Sequence, residues 1–182
     1  MMTPHPHPAT KIHIIEGEYK VVSDCDAVLS TVLGSCVAVC LRDATAGVGG
    51  MNHFLLPGDA GEARMGEGER YGVHLMEVLV NGLLKMGARR ERLEGKVFGG
   101  ARMLDGLSDI GARNGAFARR SLANEGVRIL AEDLGGRRAR RIEYFPVSGR
   151  ARQFLLAGAP VIESRPLRAL ADRSISGALE LF

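Results

Sequence analysis

The stretch Leu33-Gly34-Ser35-Cys36 places a thiol directly after a turn of small residues, between two hydrophobic runs at residues 27–32 and 36–41. A glycine just ahead of a nucleophile lets the backbone fold tightly, so peptide N–H groups can converge on one spot and hold an oxyanion. His53 stands 17 residues downstream, in the next apolar run, GVGGMNHFLL at residues 47–56. Strand pairing would bring its imidazole beside Cys36. An imidazolium there favours the thiolate, the reactive form of cysteine. The ring needs a partner on its other nitrogen, and Ser30, Thr31 and Asn52 are candidates. Together these groups have the makings of covalent attack on a carbonyl carbon.

Other readings compete with that one. A cysteine in a hydrophobic strand is commonly a small apolar filler, and Cys25 and Cys40 fit that description better than Cys36 because no small-residue turn precedes them. Cys25, Cys36, Cys40 and His53 are ligand types that zinc accepts, but steps of 11 and 4 residues lack the close pairing of structural sites, so no metal is expected. His13 in a β-rich run and His74 in a helix read as surface or core-edge histidines. Gly47-Val48-Gly49-Gly50 resembles part of a phosphate loop, yet no Lys-Ser/Thr follows, so no nucleotide cofactor is expected. The run Arg137-Arg138-Ala139-Arg140-Arg141 has no interleaved aromatics, which argues against nucleic acid and for a solvated turn or a patch facing an acidic partner.

The elements that must position Cys36 and His53 are strand-rich at first. Short runs at residues 11–15 and 19–22 precede the two buried strands and the run at 47–56. A polar segment at residues 58–68, with four glycines and no period, reads as a mobile or lid-like loop. Val73, Met76, Val80, Leu83 and Leu84 then recur at helical intervals, and Gly87 sits where a C′ cap belongs. A strand near residues 96–98 leads to Gly99-Gly100. A second helix spans residues 114–124, capped by Asn114 and ended by Gly126. Strands at 127–131, 140–145 and 153–157 complete the order, with turns at Gly135-Gly136 and Ser148-Gly149. This order favours α+β, a single-domain sandwich with a mixed sheet and two main helices, over a doubly wound parallel sheet.

At 182 residues the chain suits one sizeable domain. Hydrophobic residues at 46% and charged residues at 25% exclude wholesale disorder. The net charge of +3 does not point to nucleic acid, but 20 of the 24 basic residues are Arg, the better partner for carboxylates. Three cysteines cannot all pair, which suits a reducing cytoplasmic setting. The Pro/His-rich leader at residues 1–10 lacks an apolar signal region and reads as mobile. The longest uncharged stretch, residues 27–41, is too short to span a bilayer. The domain is expected over residues 11–162, followed by an extension at 163–182 that alternates Arg, Leu and Ala and suits a short amphipathic helix.

Several longer segments carry a family resemblance. STVLGSCVAVCLRD followed by GGMNHFLLP, then KVFGGARM, IGARN and ILAEDLGGRRARRIEYFPVSG, together with the opening KIHIIEGEY, resemble the CheD family of chemoreceptor glutamine deamidases in order and spacing. The resemblance covers residues 11–156. It implies a compact α/β sandwich similar to toxin-type cysteine deamidases. It also implies a substrate, glutamine side chains on the helical cytoplasmic region of methyl-accepting chemoreceptors, and a CheC-type phosphatase as partner. No cofactor is implied. The family's nucleophile falls on Cys36 and its histidine on His53. The family's threonine, six positions before the cysteine, falls on Ser30, which keeps the hydroxyl and loses the methyl. Thr31 would face the opposite side of a regular strand. Two alternatives remain at this level: a regulatory module that docks on a phosphatase or receptor, and a receptor methylesterase using the same thioester chemistry.

Overall fold

The computed structural model describes residues 10–56, 62–103 and 109–157, with residues 62–67 described in backbone only. Nine strands and two helices occur among them: β1 (Thr10–His13), β2 (Tyr19–Val22), β3 (Ala27–Leu33), β4 (Val37–Asp43), β5 (Val48–Phe54), α1 (Glu62–Lys85), β6 (Glu94–Gly99), α2 (Ile110–Asn124), β7 (Arg128–Leu134), β8 (Arg140–Phe145) and β9 (Arg150–Leu155). The class is α+β with two helices, as expected. The strands form two mixed sheets rather than one, ordered β1-β3-β8-β9 and β2-β5-β4-β6-β7. Each is mixed through one parallel pair, β1 with β3 and β6 with β7.

β4 explains why its sequence is continuously apolar. Val37, Val39 and Leu41 face α1 and α2, in a core with Phe54, Leu79, Leu83, Phe117 and Leu122. Ala38 and Cys40 face the second sheet, in a core with Leu29, Leu33, Met51, Ile142 and Tyr144. A strand buried on both faces needs apolar residues at every position, not at alternate ones. Each large side chain sealed in either layer contributes about 1.5–3 kcal/mol. The molecule is therefore three layers deep: helices, five strands, four strands.

The helices differ from expectation at their N-termini. α1 begins at Glu62, inside the segment read as a loop, while residues 57–61 lie outside the described residues. Glycine here serves close packing, not a turn: a Cβ on Gly72 would meet Leu56 and Phe117 at 2.7 Å. Its buried stripe is Leu75, Met76, Leu79, Val80 and Leu83, while Val73 is exposed. α2 starts at Ile110, four residues early, because Asp109 rather than Asn114 caps it by accepting from the Ala112 N–H at 2.9 Å. Both C-termini close in paired bonds around a glycine, Ala88 N–H to Leu83 and Gly87 N–H to Leu84, then Val127 N–H to Leu122 and Gly126 N–H to Ala123.

Other expectations resolve more simply. The Gly47–Gly50 segment runs into β5. β9 starts three residues early, since Phe145 and Arg150 pair across a four-residue turn. The arginine run is spent on the fold: Arg140 is buried and bonds Asp133 at 2.8 Å, Arg138 donates to the Leu156 carbonyl, and Arg141 lies 5.2 Å from the Phe154 ring centroid. The leader and the extension at 163–182 lie outside the described residues. No helix among the described residues is long and apolar enough to cross a membrane.

Candidate active site

Cys36 sits in the β3–β4 connection, one residue before β4, and is half-buried. His53 lies on β5 directly opposite Ala38 of β4. Cys36 is two residues from Ala38, so period-two alternation puts the thiol and the imidazole on the same face, diagonally placed. That face is the inter-sheet layer.

The thiol loop is held by its carbonyls. Gly34 accepts from the Ala101 N–H at 2.8 Å, Ser35 from Asn114 Nδ2 at 2.9 Å, and Cys36 from the Gly100 N–H at 2.7 Å. In a trans peptide the N–H opposes the C=O. The N–H groups of Ser35 and Cys36 therefore turn away from these donors. The loop from β6 must come very close to do this. Gly99 has φ +115°, and a Cβ there would collide with the Cys36 carbonyl oxygen.

His53 is oriented by Thr31. Thr31 Oγ1 lies 2.7 Å from the Ile14 carbonyl and 2.8 Å from His53 Nδ1. A carbonyl can only accept, so the hydroxyl donates its proton to Ile14, and its oxygen accepts from Nδ1–H. The proton thus sits on Nδ1, and Nε2 carries the basic lone pair. Nε2 has no hydrogen-bond partner among the described residues.

Thr31, and not Ser30, is the β3 hydroxyl that reaches His53. Thr31 shares the inward face of β3 with Leu29 and Leu33, and the neighbouring Ser30 turns to the other face, where its buried Oγ has no hydrogen-bond partner among the described residues. Asn52 is likewise occupied elsewhere: Oδ1 accepts from the Val39 N–H and Nδ2 donates to the Leu75 carbonyl. Cys25 is exposed and Cys40 fully buried, so neither shares the environment of Cys36. His13 and His74 are exposed.

The electrostatics oppose the expected ion pair. Burial, then the charge of Glu16, pushes the Cys36 thiol up to about 11. Burial pulls His53 below its ordinary value, with the Ile14 bond and Glu16 opposing in part. At neutral pH the pair is a protonated thiol and a neutral imidazole. A pair in that state can react at the thiol only if proton transfer accompanies attack.

Two site residues escaped the sequence reading. Asn114 was taken as a helix cap, yet its Oδ1 accepts from the Leu56 N–H at 2.8 Å while Nδ2 holds Ser35. Glu16 falls between the runs at residues 11–15 and 19–22 and carries no signal in the sequence, yet Cys36 Sγ lies 3.9 Å from its Oε2. No periodicity marks either residue.

The matching family model and the sequence relatives name one family. A family model described as CheD chemotactic sensory transduction matches residues 55–153. The probable chemoreceptor glutamine deamidase CheD of Rhizobium etli is 54% identical over 180 residues, covering 96% of this chain and 97% of its own. The protein of the same description in Rhizobium meliloti is 61% identical over 149 residues, 81% of each chain. Among solved structures, the hypothetical protein YfiH of Bacillus licheniformis aligns with a TM-score of 0.42 at 9% identity, over 63% of this chain and 49% of its own.

Proposed function

This chain belongs to the CheD family, and from that premise we propose that it deamidates glutamine side chains of methyl-accepting chemoreceptors, with Cys36 as nucleophile, His53 as acid–base and Thr31 as the residue that orients His53. The observation that supports it most is the chain Ile14 carbonyl, Thr31 hydroxyl, His53 ring, which leaves Nε2 as the basic nitrogen on the face it shares with Cys36.

Cys36 attacks the carboxamide carbon while its proton passes to His53 Nε2, and the carbonyl π pair moves onto oxygen. The N–H groups of Ser35 and Cys36 are turned to hold that oxyanion; one such donor is worth about 3–4 kcal/mol. The tetrahedral intermediate collapses with C–N cleavage. The nitrogen takes the proton from Nε2, ammonia leaves, and a γ-glutamyl thioester remains. Water gives a proton to Nε2 as it attacks the thioester. The C–S bond then breaks, sulfur recovers the proton, and glutamate is released. One water is consumed, the carboxylic acid formed gives its proton to the released ammonia, and the receptor gains one negative charge as ammonium leaves. No step draws on a cofactor.

The receptor regions concerned are cytoplasmic, and a CheC-type phosphatase is the partner that the family resemblance adds; co-purification of the two proteins tests that part. For the reaction itself, a receptor cytoplasmic fragment is incubated with the protein and its peptides are weighed. New glutamates should appear, and Cys36→Ala should abolish them while the circular dichroism spectrum is kept. Undiminished conversion by Cys36→Ala would reject the nucleophile.

A further inference from the structure

Glu16 occupies a place that the mechanism has not used. Residues 15–18 form a tight turn, with the Glu18 N–H bonded to the Ile15 carbonyl at 3.1 Å and Gly17 at φ +85°. A positive φ at the third position marks a type II turn, with Glu16 at its second corner. The turn is fastened to the catalytic strand on both sides. The Gly17 N–H donates to the His53 carbonyl at 2.8 Å, and the His53 N–H donates to the Glu18 carbonyl at 3.0 Å. Tyr71 of α1 crowds the turn, since a Cβ on Gly17 would lie 2.7 Å from its hydroxyl oxygen. The Glu16 carboxylate is thereby delivered to the thiol, with Oε2 3.9 Å from Sγ.

A carboxylate beside a nucleophilic thiol is a liability for the nucleophile. Its charge works with burial to keep Cys36 protonated, and a neutral acceptor would spare the enzyme that. The substrate supplies a reason for the charge. A carboxamide under attack sends its oxygen to the Ser35 and Cys36 N–H groups, and its nitrogen to the other side carrying two N–H donors. Those donors need acceptors. The nearby oxygens are already committed: Thr31 Oγ1 serves His53, and the carbonyls of Gly34, Ser35 and Cys36 serve Ala101, Asn114 and Gly100.

We propose that Glu16 is a specificity residue that accepts a hydrogen bond from the side-chain amide nitrogen of the substrate glutamine and so selects amide over methyl ester. The inference rests on the deamidase reading. A carboxylate is an acceptor only, and the ester oxygen of a methylated glutamate is an acceptor too, so the two repel where the amide bonds. The glutamate product is also repelled, which hastens its release. Sites built to bond a substrate N–H discriminate strongly against analogues lacking it. Because Glu16 is exposed, the effect is expected at the lower end, roughly 10–100-fold.

The test compares wild type, Glu16→Gln and Glu16→Ala on two receptor fragments that differ only in bearing glutamine or glutamate methyl ester at one site. In wild type, kcat/KM should favour the amide. In Glu16→Ala the amide value should fall roughly 10–100-fold and in Glu16→Gln, whose side-chain oxygen still accepts, by less, while the ester value holds or rises in both. Alkylation of Cys36 by N-ethylmaleimide should become faster in both, because a negative charge has left the thiol. Slower deamidation by a more reactive thiol assigns the loss to substrate recognition. An unchanged amide rate, or equal losses on both fragments, overturns the role of Glu16 and leaves the deamidase reading standing. Wild type that yields no glutamate from either fragment overturns both.

Discussion

Asn114 Nδ2 donates to the carbonyl of Ser35 at 2.9 Å, so a residue in the second turn of α2 holds the peptide immediately before the thiol. Its Oδ1 holds Leu56, three residues beyond His53. One fully buried side chain thus spans both catalytic segments. Asn114→Leu should orphan the buried Leu56 N–H and the part-buried Ser35 C=O, at a cost of about 2–4 kcal/mol in urea denaturation. In the protein that remains folded, kcat should fall more than KM rises, because the Cys36 N–H loses its aim.

Thr31 and Ser30 should respond in opposite ways. Thr31→Val keeps the shape and deletes the hydroxyl, so His53 Nδ1 is left with only its longer 3.4 Å contact to the Ile14 carbonyl, and deamidation should slow roughly 10–100-fold. Ser30→Ala removes a hydroxyl without a partner and should leave kcat/KM within about twofold. A larger loss at Ser30 than at Thr31 would restore the family-based assignment.

The neutral Cys36–His53 pair has a pH signature. His53 works as a base when neutral, and burial lowers its pKa. Deamidation should therefore stay level as pH falls through 6.5, the ordinary histidine value, and decline only below the depressed one. The free thiol ionises near 11. Its reaction with methyl methanethiosulfonate should climb about tenfold per pH unit above neutrality. A plateau near pH 7 would mean that a thiolate–imidazolium pair is present instead.

Asp43 supplies a stability prediction away from the chemistry. Its side chain is fully buried, accepts from the N–H groups of Thr45, Ala46 and Arg89, and pairs with Arg92 at 2.6 Å. Burial would raise its pKa, but Arg92 and these N–H bonds outweigh burial and hold it well below the usual carboxylate range. A depressed carboxylate stabilises the fold above its unfolded value, near pH 4, and that contribution drains away as pH falls further. Asp43→Asn should cost about 2–4 kcal/mol at pH 7, less than a wholly buried pair because Arg92 is partly exposed, and the deficit should shrink toward pH 2. Urea titrations at the two pH values check it.

The core strands, the helix at Leu75–Leu83 and both C-terminal glycine caps were legible because local rules govern them: apolar runs, a 3.6-residue period, a positive φ. The start of α1 was not, since the four glycines between residues 58 and 68 and the lack of a helical period there have the look of a loop. The division into two sheets was hidden because β3 and β4 adjoin in sequence yet belong to different sheets. The same blindness decided Ser30 against Thr31. Alternation says that adjacent strand residues face apart, but which of them faces the histidine depends on the sheet packed opposite, and that is a tertiary fact. Residue type and spacing suffice to nominate Cys36 and His53 as a pair, and the β4–β5 register sets them on one face. Glu16 and Asn114 were not legible, because an acidic turn residue and an asparagine near a helix start have ordinary local explanations.

Thr31 and His53 belong to different sheets, so the bond between them crosses the apolar layer of Met51, Ile142 and Tyr144. A small sideways slip of one sheet over the other would part them long before either sheet frays. Turnover in this protein is consequently a strain gauge for that seam. Lesions among oily residues remote from the sulfur, and mild warming that leaves the dichroism untouched, are expected to silence the enzyme while it still passes every ordinary check of being folded.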